Sequence, residues 1–264
     1  MPRTMLDPMF QYVTAAEFTE QHLAALLAGT CAAVRIPSFL DPAACQRMVD
    51  VLDQLPVHEY DRSRVAEPIL RFGPALNDFR IYSGRLDGHR YWPEADRARA
   101  AWAMARPRHD PIALALGRLG TAWGSAVTPA TIGGRPVFGG TVRELNRGAL
   151  THYDEVVREL PGLFDQHVVG QLAFNAWVIG PDSGGETRIS RRRWQPADDE
   201  HRFSYGYSDV VTADSQQVEL VPKTGEALLF NPANYHSVKE AVGRRVALAF
   251  FLGLTTRGEL VAWS

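Results

Sequence analysis

Apolar positions along this chain change their rhythm near Val137. Before it they recur at three- and four-residue intervals, and after it they come as short runs punctuated by turn residues. In the front part, Thr14-Ala15-Ala16-Glu17 has the form of a capping box; Phe18, Leu23, Leu26 and Leu27 follow at helical spacing before Gly29, which predicts a first helix. Ala32 to Ile36 reads as a strand. Asp41 and Pro42 open a second helix, whose apolar stripe of Cys45, Met48, Val49, Leu52 and Leu55 runs to Pro56. From Asp61 to Pro93 the chain is rich in Arg, Gly, Pro and aromatic residues without sustained period. That pattern predicts a functional loop or lid, with a short strand at Phe79 to Tyr82. Two more helices are predicted at Glu94 to Met104 and Pro111 to Ser125.

Beyond Val137 the runs predict strands at Thr141 to Leu145, Val168 to Ile179, Thr187 to Arg191, Phe203 to Tyr207, Gln217 to Leu220, Ala227 to Phe230, His236 to Val238 and Arg245 to Leu254. The expected fold is therefore mainly β with flanking α-helices: a jelly-roll, cupin-like core with the N-terminal helices packed on its outside. Pro181-Asp182-Ser183-Gly184-Gly185 and Pro222-Lys223-Thr224-Gly225 supply two legible turns.

Composition narrows the partners. The 264 residues, 45% hydrophobic, suffice for one well-buried core. A formal net charge of -2 provides no basic field for a nucleic acid backbone, so no nucleic acid partner is expected. Cys31 and Cys45 are the only cysteines and do not form a CxxC pair, which argues against a disulfide framework, a zinc ribbon or an iron-sulfur cluster. The first residues lack a basic region followed by an apolar stretch, and no run approaches the roughly 18 apolar residues of a membrane span. A cytoplasmic protein without a membrane anchor is expected.

The chemistry is concentrated in few residues. His152 and Asp154 flank Tyr153, so on an extended segment both side chains point to one face. A distant His236 completes two imidazoles and one carboxylate, the ligand set of a non-heme Fe(II) centre that leaves positions open for reaction. Arg245 follows nine residues after His236, at the head of an apolar strand, with Arg244 as its rival because a shift of one residue reverses the face. Thr141, Arg143 and Leu145, and likewise Gln171, Ala173, Asn175 and Trp177, alternate along their strands; their polar members either line a cavity or form a solvated sheet face. His58, His89, His109, His167 and His201 have no such support and are read as structural or surface residues.

In this order, His152-x-Asp154, Gly184-Gly185-Glu186, the run Val221 to Phe230, Tyr235-His236 and Arg245-Val246-Ala247-Leu248 resemble the Fe(II)/2-oxoglutarate-dependent oxygenases. The similarity covers the second half of the chain closely and the segment from Arg35 to Leu55 loosely. Arg191 to Trp194 and the ending Glu259 to Ser264 look like the carrier-independent hydroxylases and aliphatic halogenases of natural-product pathways.

The resemblance implies Fe(II), 2-oxoglutarate and dioxygen as cofactor and cosubstrates, with the metal on His152, Asp154 and His236. Arg245 would meet the far carboxylate of 2-oxoglutarate. In the related halogenases Gly or Ala stands where this chain has Asp154, so hydroxylation is expected rather than chlorination. Desaturation, epoxidation and oxidative cyclisation need the same ligands. The substrate is expected to be a free small molecule, an amino acid, alkaloid or nucleotide-like compound, met without a carrier protein. Phe79, Arg80, Tyr82, Asn175 and Arg188 are its candidate contacts. The expected organisation is a single domain over 1–264, helical with substrate or lid loops at 1–136, and with the jelly-roll core and its metal site at 137–264. Two other classes stay open at this point: a non-catalytic cupin-like binding protein, and a zinc enzyme that needs neither cosubstrate nor oxygen.

Overall fold

The computed structural model describes residues 7–52, 54–60, 68–81, 84–105 and 110–264. In chain order, the elements that build the site and its support begin with strand β1 (Tyr12–Thr14), helix α1 (Glu20–Ala28), strand β2 (Ala33–Ile36), helix α2 (Pro42–Leu52) and strand β3 (Leu70–Phe72). Helices α3 (Gly88–Ala105) and α4 (Pro111–Trp123) follow. Then come strands β4 (Thr141–Glu144), β5 (Ala149–His152), β6 (Val168–Ile179), β7 (Thr187–Arg193), β8 (Gly206–Tyr207) and β9 (Gln217–Leu220). The chain ends with β10 (Ala227–Phe230), β11 (Asn234–Val238), β12 (Val246–Thr255) and β13 (Leu260–Trp263).

Two sheets face each other as the jelly-roll. The larger runs β1-β2-β10-β6-β12-β4-β3, with β13 added beside β12; the smaller runs β8-β5-β11-β7-β9. Strand β6 is central to the larger sheet and pairs antiparallel with both β10 and β12, with Ala173 opposite Phe230 on one side and Phe251 on the other. Both faces of β6 are covered, which is why its sequence is nearly continuously apolar rather than cleanly alternating. Leu172, Phe174, Ala176 and Val178 pack outward into the core shared with the helices. Ala173 and Trp177 point inward, where they join Ile189, Val218, Leu220, Leu228 and Phe230 in a plug between the two sheets. The front of the chain is part of this body, since β2 pairs with β10 and β3 with β4.

The helix-side core is anchored by aromatic rings. Phe174 is fully buried and lies 4.6 Å from Phe250, 5.4 Å from Phe39 and 6.2 Å from Phe18, centroid to centroid. Phe174→Ala is expected to cost about 3–5 kcal/mol, because the surrounding rings, on the segments leading into α1 and α2 and on β12, cannot all collapse into the space. Denaturant unfolding measures that loss. Iron content should stay unchanged, since the ring faces away from the inter-sheet cavity.

Several elements differ from the sequence expectation. Thr14 does not cap a helix; it lies in β1, paired in parallel with β2, and Thr19 caps α1 by accepting from the His22 N–H. The capping-box pattern was matched by chance one strand too early, while the apolar residues Leu23 and Leu26 are buried as expected. Helix α3 begins at Gly88, ahead of Pro93, with Asp87 accepting from the Arg90 N–H. Phe79 to Tyr82 is not a strand: Leu76–Phe79 is a 3-10 turn, Arg80 bridges to Leu86, and Tyr82 lies outside the described residues. The run Phe203 to Tyr207 is a tight hairpin, with Ser204 at φ 52 between Arg202–Phe203 and β8. Strands β5 and β13 were not anticipated.

Candidate metal centre and cavity

The smaller sheet brings the distant ligands together by register. His236 on β11 stands directly opposite His152 on β5, and their ring centroids are 4.2 Å apart. Asp154 follows two residues after His152, and its backbone N–H donates to Pro232 O at 2.9 Å, which ties the end of β5 to the turn before β11. Its Oδ2 lies 3.4 Å from His236 Nε2 and 3.7 Å from His152 Nε2. Tyr153 points the other way, into a cluster with Trp194, Tyr207 and Tyr235 outside the sheet. The one-residue alternation read from the sequence is thus what directs the ligand atoms inward.

These donors fit a divalent metal. One ligand atom from each of His152, Asp154 and His236 lies within 4.8 Å of the others. His152 Nδ1 is 2.7 Å from Leu150 O and His236 Nδ1 is 3.0 Å from Asn234 O. A backbone carbonyl accepts only if Nδ1 carries the proton, so each Nε2 presents its lone pair to the shared point. Burial, reinforced by His236, pushes His152 down to about 4. Burial alone would raise Asp154, but the close approach of His236 and the nearby His152 and Arg143 hold it below the usual carboxylate range. Neutral imidazole and ionised carboxylate are the forms that bind metal.

A cavity of about 910 Å³ opens from this point between the sheets, within the range of small-molecule sites. Arg245 lines it and is buried, whereas Arg244 is exposed and pairs with Glu144 at 2.8 Å. Arg245 Nε donates to Gly185 O at 3.1 Å, Nη2 reaches Thr187 Oγ1 at 3.3 Å, and the guanidinium lies 5.7 Å from the Trp177 ring centroid. These contacts are neutral ones, and burial with the neighbouring Arg143 brings its pKa down to about 10, leaving it protonated at neutral pH. The glycine pair explains itself here: Gly185 has φ +69, and a Cβ on it would stand 3.0 Å from Arg245 Cδ. Any side chain would press on the guanidinium stem.

Of the other candidates, Asn175 lines the cavity, together with Gln171 and Ala173 of the same row, and so does Arg80. Phe79 is instead a core residue, stacked edge-on against Tyr91 at 5.4 Å, and is absent from the lining. Arg188 faces outward and pairs with Glu219 at 2.7 Å; its neighbour Thr187 is the residue that faces inward. His58, His89, His167 and His201 are exposed, and His109 lies outside the described residues. Tyr205 and Glu159 were not singled out from sequence. Tyr205, on the hairpin, stands 5.7 Å from the His152 ring and accepts from the Leu150 N–H through its hydroxyl at 2.8 Å. Its only sequence signal is an aromatic residue beside a glycine turn.

Glu159 lines the same cavity, with Asn77 Nδ2 at 3.5 Å and Arg80 Nη1 at 3.6 Å. Burial first, then the charge of Asp154, pushes its carboxyl up to about 7, against the opposing pull of Arg80. A carboxyl raised in the folded state stabilises the fold below its ordinary value of 4.5 and loses that contribution as pH rises through about 7. In metal-free protein, wild type should therefore lose stability relative to Glu159→Gln between pH 5 and pH 8. Denaturant midpoints of the two proteins at those pH values check this, and a constant difference would contradict it.

No family model matches the chain. The chain is 49% identical over 258 residues to an L-gamma-glutamyl-L-propargylglycine hydroxylase of Streptantibioticus cattleyicolor, covering 97% of this chain and 96% of that protein. It is 29% identical over 193 residues to the leucinostatins biosynthesis cluster protein S of Purpureocillium lilacinum, with 69% of this chain and 76% of that protein covered. Among solved structures, an N-substituted L-amino acid dioxygenase from Burkholderia ambifaria, in complex with alpha-KG, superposes with a TM-score of 0.62 at 17% identity, covering 93% of this chain and 91% of that one. HygX from Streptomyces hygroscopicus, with nickel and 2-oxoglutarate bound, gives 0.51 at 13%, covering 89% and 87%. The two structural likenesses speak for the jelly-roll fold. No described helix is long and apolar enough to cross a membrane.

Proposed function

Since the chain belongs to the Fe(II)/2-oxoglutarate-dependent oxygenases, we propose that it hydroxylates an unactivated C–H bond of a free small molecule, with a γ-glutamyl amino acid as the substrate class tested first. The proposed ligands are His152, Asp154 and His236, and Arg245 is the proposed partner of the far carboxylate of 2-oxoglutarate. The observation that carries the reading is the convergence of that donor set and a buried guanidinium without a carboxylate partner on one cavity. A γ-glutamyl amino acid is favoured because the 49% identical relative is named for hydroxylating one.

Held by those three residues, Fe(II) would supply, with 2-oxoglutarate and dioxygen, oxidative decarboxylation to succinate and carbon dioxide, coupled to oxygenation of the substrate. The chain's own contribution is placement. The two Nδ1–carbonyl bonds fix the ring planes, so little reorganisation is needed when the metal binds. Asp154 supplies the negative charge and Arg245 a fixed, desolvated cation, which a carboxylate meets in a forked pair. The apolar plug of Ile189, Leu228 and Phe230 closes the barrel behind the site and keeps water from that end. Substrate then enters between β4, the segment at Asn77 and Arg80, and the hairpin bearing Tyr205.

The test is turnover with L-γ-glutamyl-L-propargylglycine in the presence of Fe(II), 2-oxoglutarate and air. Succinate release with a product heavier by one oxygen atom is the expected result. A product lighter by two hydrogens would replace hydroxylation with desaturation, and succinate release unaffected by any γ-glutamyl compound would remove the substrate class.

A further inference from the structure

The cavity holds a second guanidinium that the cosubstrate does not account for. Arg143, on β4, lies opposite Ala247, two residues along the inner face from Arg245. It lines the cavity, is half-buried, and has no hydrogen-bond or ion-pair partner among the described residues. The acids near it are engaged elsewhere: Glu144 accepts from Arg244 and Asn146, Asp78 pairs with Arg71, and Glu159 faces Arg80. Arg143 is near enough to Arg245 to weaken that group's hold on its proton, so two like charges share one partly desolvated space.

Charge accounting assigns Arg143 a role. A divalent iron, the Asp154 carboxylate, the Arg245 guanidinium and a dianionic 2-oxoglutarate sum to neutrality, and Arg80 has the Glu159 carboxyl 3.6 Å away. Of the two remaining lining guanidiniums, Arg202 is exposed and lies over the Tyr207 ring, and Arg143 is the half-buried one without a partner among the described residues. It faces the reaction space, where an unpaired charge is costly unless an anion arrives. We propose that Arg143 is the specificity-determining anchor for a carboxylate of the substrate, so that the enzyme accepts amino acids or γ-glutamyl dipeptides with a free carboxylate and rejects their amides. This assignment rests on the reading of the cavity as an oxygenase active site.

The experiment uses full-length protein loaded anaerobically with Fe(II) and 2-oxoglutarate. Dissociation constants are read by calorimetry and by perturbation of the keto-acid charge-transfer band. The probes are L-propargylglycine, L-γ-glutamyl-L-propargylglycine and the C-terminal primary amide of each. Wild type should bind at least one acid about 10- to 100-fold more tightly than its amide, the range set by a hydrogen bond to a charged group. Arg143→Met should erase that preference while leaving the 2-oxoglutarate dissociation constant within about twofold, and Arg143→Lys should restore part of the preference.

A 2-oxoglutarate affinity that falls in step with substrate affinity in Arg143→Met would overturn the proposal and make Arg143 a cosubstrate residue. Equal binding of acid and amide by wild type, or binding of neither, would overturn it as well. Failure of the oxygenase reading looks different: no charge-transfer band forms in wild type before any probe is added.

Discussion

His236→Ala is expected to abolish stoichiometric Fe(II) binding and to lower turnover by on the order of a thousandfold, equivalent to about 4 kcal/mol on the barrier. The cause is local. His236 is buried opposite His152, and its Nδ1 is committed to Asn234 O, so no other side chain on β11 can offer a nitrogen at that point. Among the described residues, His152, Asp154 and His236 form the group of His, Cys, Asp and Glu side chains that could hold a metal ion. Removing one member leaves two donors beside an open cavity. Iron content after anaerobic loading and desalting measures the effect. A near-native unfolding midpoint separates ligand loss from misfolding, and full iron occupancy in the variant would contradict the assignment of His236 as a ligand.

Arg245→Met is expected to spare iron binding and to raise the dissociation constant for 2-oxoglutarate by about 30-fold or more, because truncating one partner of a buried charge pair costs about 2–5 kcal/mol. Methionine keeps most of the stem volume beside Gly185 and Trp177, so the fold should tolerate it. The companion variant Arg244→Met removes an exposed pair with Glu144 and should change 2-oxoglutarate affinity little, since a solvent-exposed pair contributes about 0–1 kcal/mol. Anaerobic titrations of the two variants side by side separate the adjacent arginines. Equal losses in both would argue that the guanidiniums act through the general field of the cavity rather than by position.

Much of the site was legible because it depends on alternation along strands. His152 and Asp154 share a face with one residue between them, and Gln171, Ala173 and Asn175 do the same on β6; the structure has both rows facing the cavity. Period-2 patterns survive folding because a slip of one residue would put a whole row on the wrong side. The choice between Arg244 and Arg245 turned on that same parity: Arg245 lines the cavity, and Arg244 is exposed and paired with Glu144.

Residues on irregular segments were harder to read. Phe79 looked like a pocket residue but packs in the core, because a 3-10 turn rather than a strand carries it and rotates the ring toward Tyr91. Glu159 sits on a single helical turn after the ligand strand, and nothing in its neighbours announces a buried carboxyl. Arg188 was misread for another reason. It lies on β7 as expected, but Thr187 and Ile189 take the inward positions, which leaves Arg188 to Glu219 on the outer face. Strand β1 was hidden by a capping-box pattern whose residue types also suit an edge strand.

The central claim is that one cavity binds iron and 2-oxoglutarate together, and an anaerobic titration of the metal-free protein with Fe(II) and then 2-oxoglutarate tests it most directly. A weak visible charge-transfer band should appear only when both are present, saturate at one equivalent of each, and weaken in affinity for the keto acid when Arg245 is replaced. Iron that binds at one equivalent without producing the band would contradict the account, because the metal would then occupy its three ligands without the open positions and the clamp that the oxygenase reading requires.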